Sequence, residues 1–134
     1  MKKIYLFITG LIFVTNVTFS QFKLEIEITG IENNNGKIML ELYDSAEKVI
    51  NQNMSDIKDL KCTISFENLK PGKYAVRYFQ DENLNGKLDT NFVGIPTEGY
   101  GFSNNATGKF GPPSFDKWLF EISADKKISL KPTY

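Results

Sequence analysis

The sequence predicts an all-β protein, an antiparallel β-sandwich carrying one long ordered loop. Three observations lead there. About six short stretches alternate apolar and polar residues with the period of two that a half-buried strand requires. Clusters of Asn, Gly, Pro and Asp punctuate them at near-regular spacing, and no stretch sustains the roughly 3.6-residue period of a full helix. Short strands without intervening helices pack sheet on sheet rather than as parallel units with helical crossovers.

The chain has 134 residues, and its first twenty are expected to be a signal peptide. Lys2 and Lys3 precede an apolar run from Ile4 to Val17, and Thr18 and Ser20 supply the small residues of a cleavage site after Ser20. A retained anchor is the alternative, but Thr9, Gly10, Thr15 and Asn16 interrupt the run, which falls short of the roughly 20 residues a spanning helix needs. No membrane span is expected after cleavage, and the product is expected to be exported to the periplasm or the medium. Residues 21–134 then form a single domain. Of sixteen basic residues Lys2 and Lys3 leave with the leader, so fourteen face sixteen acidic ones and the formal charge becomes −2. That balance argues against nucleic acid as a partner and leaves a protein or a glycan. Cys62 is the only cysteine, which excludes an intramolecular disulfide, and the absence of histidine removes the usual general base and the commonest zinc ligand.

Taken in order, Phe22, Leu24, Ile26 and Ile28 alternate with Lys23, Glu25 and Glu27, which is a strand with one buried face. Glu32 to Gly36 is a turn cluster, and Ile38, Leu40 and Leu42 begin a second strand expected to form a hairpin with the first. Between Asp44 and Leu60 the alternation is lost, and a crossover with one or two helical turns near residues 45–50 is expected. A third strand turns Cys62, Ile64 and Phe66 inward, so Cys62 reads as a small buried hydrophobe. Pro71-Gly72 makes a tight turn. The strand from Tyr74 to Gln80 carries bulk on both faces, the pattern of a central strand. Later strands place Trp118, Phe120 and Ile122 in one register and centre on Ile128 and Leu130, with a turn at Asp125 to Lys127.

The segment from Asp81 to Phe115 follows neither period. Asp81, Asn83, Asn85, Lys87 and Asp89 occupy positions one, three, five, seven and nine of a calcium-loop register, with Gly86 at the sharp bend. Calcium takes six to eight hard oxygens, and a coiled loop turns alternate side chains toward one centre; position seven contributes only its carbonyl, so a lysine is compatible there. Phe92 stands where a bidentate glutamate would close the shell, so a further ligand is needed, with Glu98, Asp116 or a backbone carbonyl as candidates. An ordinary polar turn is the competing reading. From Asn91 to Ser114 the chain is long for a connection but too aromatic for disorder. Tyr100, Phe102 and Phe110 either plug one end of the sandwich or form a ligand platform.

Leu69-Lys70-Pro71-Gly72-Lys73-Tyr74-Ala75-Val76, the run Asp81 to Asn91, Gly94 to Ala106 and Phe110-Gly111-Pro112-Pro113-Ser114-Phe115 together resemble the bacterial DUF2141 family of exported proteins. The resemblance covers essentially residues 22–134 and implies export and a sandwich, with no assigned reaction. The Pro-Gly-Lys-Tyr turn followed by an Asp-x-Asn-x-Asn-Gly loop is also similar to transthyretin-like and surface-protein B-type domains, which implies a prealbumin-like sandwich. In the latter the loop binds calcium, through positions matching Asp81, Asn83, Asn85, Lys87 and Asp89. The function expected is a non-enzymatic binding or structural module with a calcium-type loop and no catalytic residues. The alternative is a hydrolase using Asp89, Glu98 and Asp116 as acid and base. It lacks a Gly-x-Ser-x-Gly elbow and a phosphate-cradling loop.

Overall fold

The computed structural model describes residues 10–134, so the first nine residues of the expected leader lie outside it. Residues 10–21 carry no regular structure and are exposed. Among the described residues no helix is long and apolar enough to cross a membrane.

Eight strands follow: β1 (Phe22–Ile28), β2 (Lys37–Asp44), β3 (Val49–Asp56), β4 (Cys62–Leu69), β5 (Gly72–Asp81), β6 (Tyr100–Phe102), β7 (Leu119–Ile122) and β8 (Lys126–Leu130). They form two facing sheets, one ordered β4-β1-β8 and the other β3-β2-β5-β6 with β7 also paired to β5. The core between them is what the alternation required. Leu24, Ile26 and Ile28 of β1 meet Ile38, Leu40 and Leu42 of β2, together with Ile64, Phe66, Val76, Tyr78 and Ile122. Cys62 is buried there as well, and burial pushes its thiol up to about 11, so it is protonated and unreactive at neutral pH. β5 is central as expected, with β2 along one side and β6 and β7 on the other.

Three expectations are corrected. β1 and β2 do not form a hairpin: β1 pairs with β4 and β8, β2 with β3 and β5, and the turn at residues 32–36 carries the chain from one sheet to the other. The segment after Asp44 is not helical but makes β3, the edge strand of the larger sheet. The expected antiparallel sandwich is present with one parallel pair, β1 and β8. This follows from β7 and β8 joining different sheets, so that Ser123 to Asp125 crosses the sandwich instead of closing a hairpin. Trp118 does not share the face of Phe120 and Ile122. It ends a 3-10 turn at Phe115–Lys117 and packs on the opposite, outer face of the larger sheet.

That outer face has its own small core. Tyr43, Ala75, Phe102 and Trp118 are buried together, with Trp118 edge-on to Tyr43 at 5.2 Å and to Phe102 and Phe115 at 4.9 Å between ring centroids. Buried Ser103 pins this layer to the sheet: its Oγ accepts from Val76 N at 2.9 Å and donates to the Trp118 carbonyl. Asn104 Nδ2 donates to the Leu119 carbonyl at 2.8 Å. The connection expected from Asn91 to Ser114 is thus interrupted by β6 and a 3-10 turn at Ser103–Asn105, both tied to the sheet.

Candidate functional site

The candidate loop leaves the larger sheet at the end of β5, where a buried polar hub fixes the exit. Gln80, fully buried, donates through Nε2 to the carbonyls of Asn33 at 3.1 Å and Asn35 at 2.9 Å, and its Oε1 accepts from Tyr134 Oη at 2.7 Å. A buried amide must find such partners, and here they clamp the turn at residues 32–36 to the root of the loop.

Asp81, 2% exposed, follows directly. Its Oδ1 accepts from Asn85 N at 3.0 Å and its Oδ2 from Gly86 N at 2.8 Å, which coils residues 81–86 into one turn. Gly86 has φ +80°, a conformation a side chain resists. Beyond it Asn83, Asn85 and Asp89 converge. Asn83 Nδ2 donates to Asp89 Oδ2 at 2.6 Å, and Asn85 Nδ2 to both Asp89 oxygens at 2.8 and 3.0 Å. Those amides, first Asn85 and then Asn83, hold the Asp89 carboxyl below its ordinary value of 3.8. The stability this linkage contributes is present above that ordinary value and is lost as pH falls through the lowered one. Lys87 adds its positive charge beside Asp89.

Glu98 closes the loop. It is 5% exposed, and its Oε1 accepts from Glu82 N while its Oε2 accepts from Asp89 N, both at 3.0 Å, so one side chain brackets the loop's two ends. Thr97 N donates to the Asp89 carbonyl at 2.9 Å, which holds the return strand beside it. Asp116 is elsewhere. It is exposed on the 3-10 turn leading into β7, which pairs with β5 only at Gly72 to Ala75. Six residue steps of strand then separate Ala75 from Asp81, roughly 20 Å at about 3.3 Å per residue. Among the described residues none of the hydrogen bonds that hold the loop involves Asp116.

Among the described residues no three His, Cys, Asp or Glu side chains gather as a metal-binding group. A cation here would draw on Asp81 and Asp89, the amide oxygens of Asn83 and Asn85, and backbone carbonyls. The donor set fits a hard cation. The two amides donate to the Asp89 carboxylate while their oxygens accept from Asn85 N and Lys87 N, and each would present its oxygen to Asp89's side of the loop only after a half turn.

The loop also walls an open groove on the outer face of the larger sheet. Met39 and Glu41 of β2 stand beside Phe79 and Arg77 of β5, which stand beside Tyr100 and Phe102 of β6. One lobe, about 530 Å³, lies between Met39, Met54, Phe79 and Gly86; the other, about 300 Å³, between Arg77, Tyr100, Phe102 and Leu88. At the floor Arg77 Nε donates to Glu41 Oε2 at 3.1 Å and Tyr43 Oη to the same oxygen at 2.6 Å. Burial pushes Glu41 up, but these donors outweigh it and hold its carboxyl below the ordinary value of 4.5. Burial and the Glu41 hydrogen bond push Tyr43 up to about 12.

The aromatic trio does not act together. Tyr100 and Phe102 meet edge-on at 6.5 Å on the groove side, whereas Phe110 is fully exposed toward the end of the flap formed by residues 99–115, as is Phe92 in the preceding turn. Ser103, Gln80 and the hydrogen-bonding role of Glu98 were not read from the sequence. The first two are lone polar residues with no motif around them, and only burial distinguishes them.

A two-sheet sandwich with an acid-and-amide loop folded over one sheet end, closed by a buried glutamate, is the class of protein that this fold and site define. The chain belongs to the family described as an uncharacterized protein conserved in bacteria (DUF2141), whose profile matches residues 26–130. At the significance required, no curated protein and no solved structure matches it.

Proposed function

We propose that this chain is an exported, non-enzymatic β-sandwich module whose Asp81 to Asp89 loop takes a calcium ion, which stabilises the loop and with it one wall of the outer groove. The convergence of Asn83 and Asn85 on Asp89, with Asp81 tying the coil at Asn85 and Gly86, carries the reading. When bound, the ion supplies positive charge and no reaction. Asp81, Asn83, Asn85 and Asp89 hold it with side-chain oxygens and Lys87 with its carbonyl, while Glu98 keeps the loop's ends together from behind. A protein or glycan partner would meet Tyr100, Phe102 and the Glu41–Arg77 pair. In the hydrolase alternative Glu98 has both oxygens on backbone N–H groups, and Asp116 lies toward the other end of β5. Asp81, in the same loop, likewise has both oxygens on backbone N–H groups, which leaves Asp89 without a free carboxylate partner for acid and base work.

Thermal melts in calcium, magnesium and chelator test the loop. Binding to the folded state alone adds RT ln(1 + [Ca]/Kd), about 1.4 kcal/mol at ten times Kd, which shifts the melting point of a domain this size by several degrees. With so few carboxylates the Kd is expected near 10⁻⁴ to 10⁻³ M, on the order of extracellular modules. Magnesium, which demands a compact octahedron, should do far less. Asp89→Ala should remove the calcium-dependent part, and Glu82→Ala should keep it, because Glu82 turns its side chain to Asn33 Nδ2 at 3.3 Å. A melt indifferent to millimolar calcium reduces the loop to a hydrogen-bonded turn.

Export has a separate test. N-terminal sequencing of protein recovered outside the cytoplasm should begin at or near Gln21, and full-length chain confined to the cytosol removes this part of the proposal.

A further inference from the structure

The edge strand β3 is exposed along nearly its whole length, and Val49, Ile50 and Met54 stand out among its residues as exposed apolar side chains. Edge strands are ordinarily protected by charge, proline or a covering element, because their unpaired backbone groups accept another strand. Here Val49 to Ser55 holds no charge and no proline, and the first acid is Asp56 at its end. Met54 N, on this edge, is taken up by the Asn53 side-chain oxygen at 2.8 Å, a local contact that a strand carbonyl would replace.

We propose that β3 pairs antiparallel with β3 of a second copy, about a two-fold axis through Gln52, to join the larger sheets of two molecules into one. The register follows from the strand itself. In an antiparallel pair, opposed residues either both turn their backbone groups to the partner or both turn them away. A self-pairing axis therefore passes through a residue and not between two. Through Gln52, Ile50 lies opposite Met54 of the other copy, Asn51 opposite Asn53, and Lys48 opposite Asp56. Ile50 and Met54 thereby cover each other on both sides of the axis, and opposite charges meet at both ends. An axis through Asn51 sets Ile50 against Gln52 and Lys48 against Met54. One through Asn53 sets Ile50 against Asp56 and Lys48 against Lys58. Only the Gln52 axis is complementary in both apolar contact and charge. Ile50 is the extra residue of the irregularity opposite Leu42 and Tyr43, and Lys48 lies beyond it, so the bulge sets how both face the free edge and the flexible Lys48 chain spans the offset. Asp56 takes Lys37 at 3.5 Å while its side chain stays 85% exposed, which leaves an oxygen for Lys48. Gln52 and Met54 also line the outer groove, so the pairing sets the grooves of both copies on one continuous sheet face.

A single edge-strand pair falls at or below the small end of specific interfaces, so the dimer is expected to be weak and concentration-dependent. Sedimentation velocity over about 5 to 500 μM should show monomer converting to a closed dimer, with or without calcium. Ile50→Lys, at an exposed site that the fold does not use, should remain monomeric throughout that range. Gln52→Cys sits on the axis, with the two copies' Cβ atoms about 5 Å apart, near the span of a disulfide. Oxidation should link it into a covalent dimer, whereas Ser55→Cys, opposite Val49 rather than itself, should stay unlinked. Protein that stays monomeric, an Ile50→Lys variant that still dimerises, equal cross-linking through both cysteines, or open-ended assembly each overturns the proposal.

Discussion

Gly36→Ala is expected to leave little folded protein. Gly36 has φ +68°, and a Cβ built on it would lie 1.8 Å from the carbonyl oxygen of Asp81 and 2.6 Å from its carbonyl carbon. The obstacle is backbone, which no rotamer change relieves. It sits where Lys37 pairs with Asp81 at the first rung of the β2–β5 ladder, so relief requires those central strands to part. Backbone strain at positive φ adds about 1 to 2 kcal/mol, and the combined loss should exceed roughly 4 kcal/mol, the range reserved for a few named mechanisms. Against a total stability of about 5 to 15 kcal/mol that is a large share. Gly86 is the control, because it also has positive φ, +80°, but nothing lies within 4 Å of its Cβ position. Gly86→Ala should lose only the strain. Urea melts followed by circular dichroism measure both, and a Gly36→Ala midpoint close to the parent's would show that the turn yields without parting the strands.

Phe102→Ala should lower stability by roughly 3 to 5 kcal/mol, the range for a buried aromatic, while Phe110→Ala should change it by less than about 0.5 kcal/mol. Phe102 is 7% exposed and packs edge-on against Trp118 at 4.9 Å, so truncation opens a hole in the layer that fastens the flap to β5. Phe110 is fully exposed and has no packing to lose. Tyr100, half-buried beside Phe102, should fall between them. Equal losses at Phe102 and Phe110 would mean that the flap folds down over the sheet in solution.

The expectation that all three aromatics behave alike arose because local sequence shows an aromatic among glycines but not which way the chain turns. The same limit explains the other differences. β3 does not show in the sequence because period-two alternation appears only where one face of a strand is buried, and Val49 to Asp56 is exposed on both. Trp118 shares the sequence register of Phe120 because the alternation extends to it unbroken. Its φ of −108° and ψ of 5° at the end of a 3-10 turn rotate it to the outer face. The loop was more legible. Asp81, Asn83, Asn85 and Asp89 interact within nine residues, so spacing alone brought them together. Glu98 was one candidate among several until its two hydrogen bonds across the loop's ends singled it out.

What the sequence by itself determined is local and periodic: the strands of the core, their inward faces, the buried thiol, the centrality of β5 and the coil from Asp81 to Asp89. Each of these depends on contacts within a few residues or on one buried face, which alternation records directly. Only the tertiary structure decided which strands share a sheet. β1 and β2 present the same apolar face, and pairing them side by side or stacking them across the core buries that face equally well. The choice is made by partners far along the chain, β4 and β8 for β1 and β5 for β2. Gln80 and Ser103 then fix it through buried hydrogen bonds that no single stretch of sequence contains.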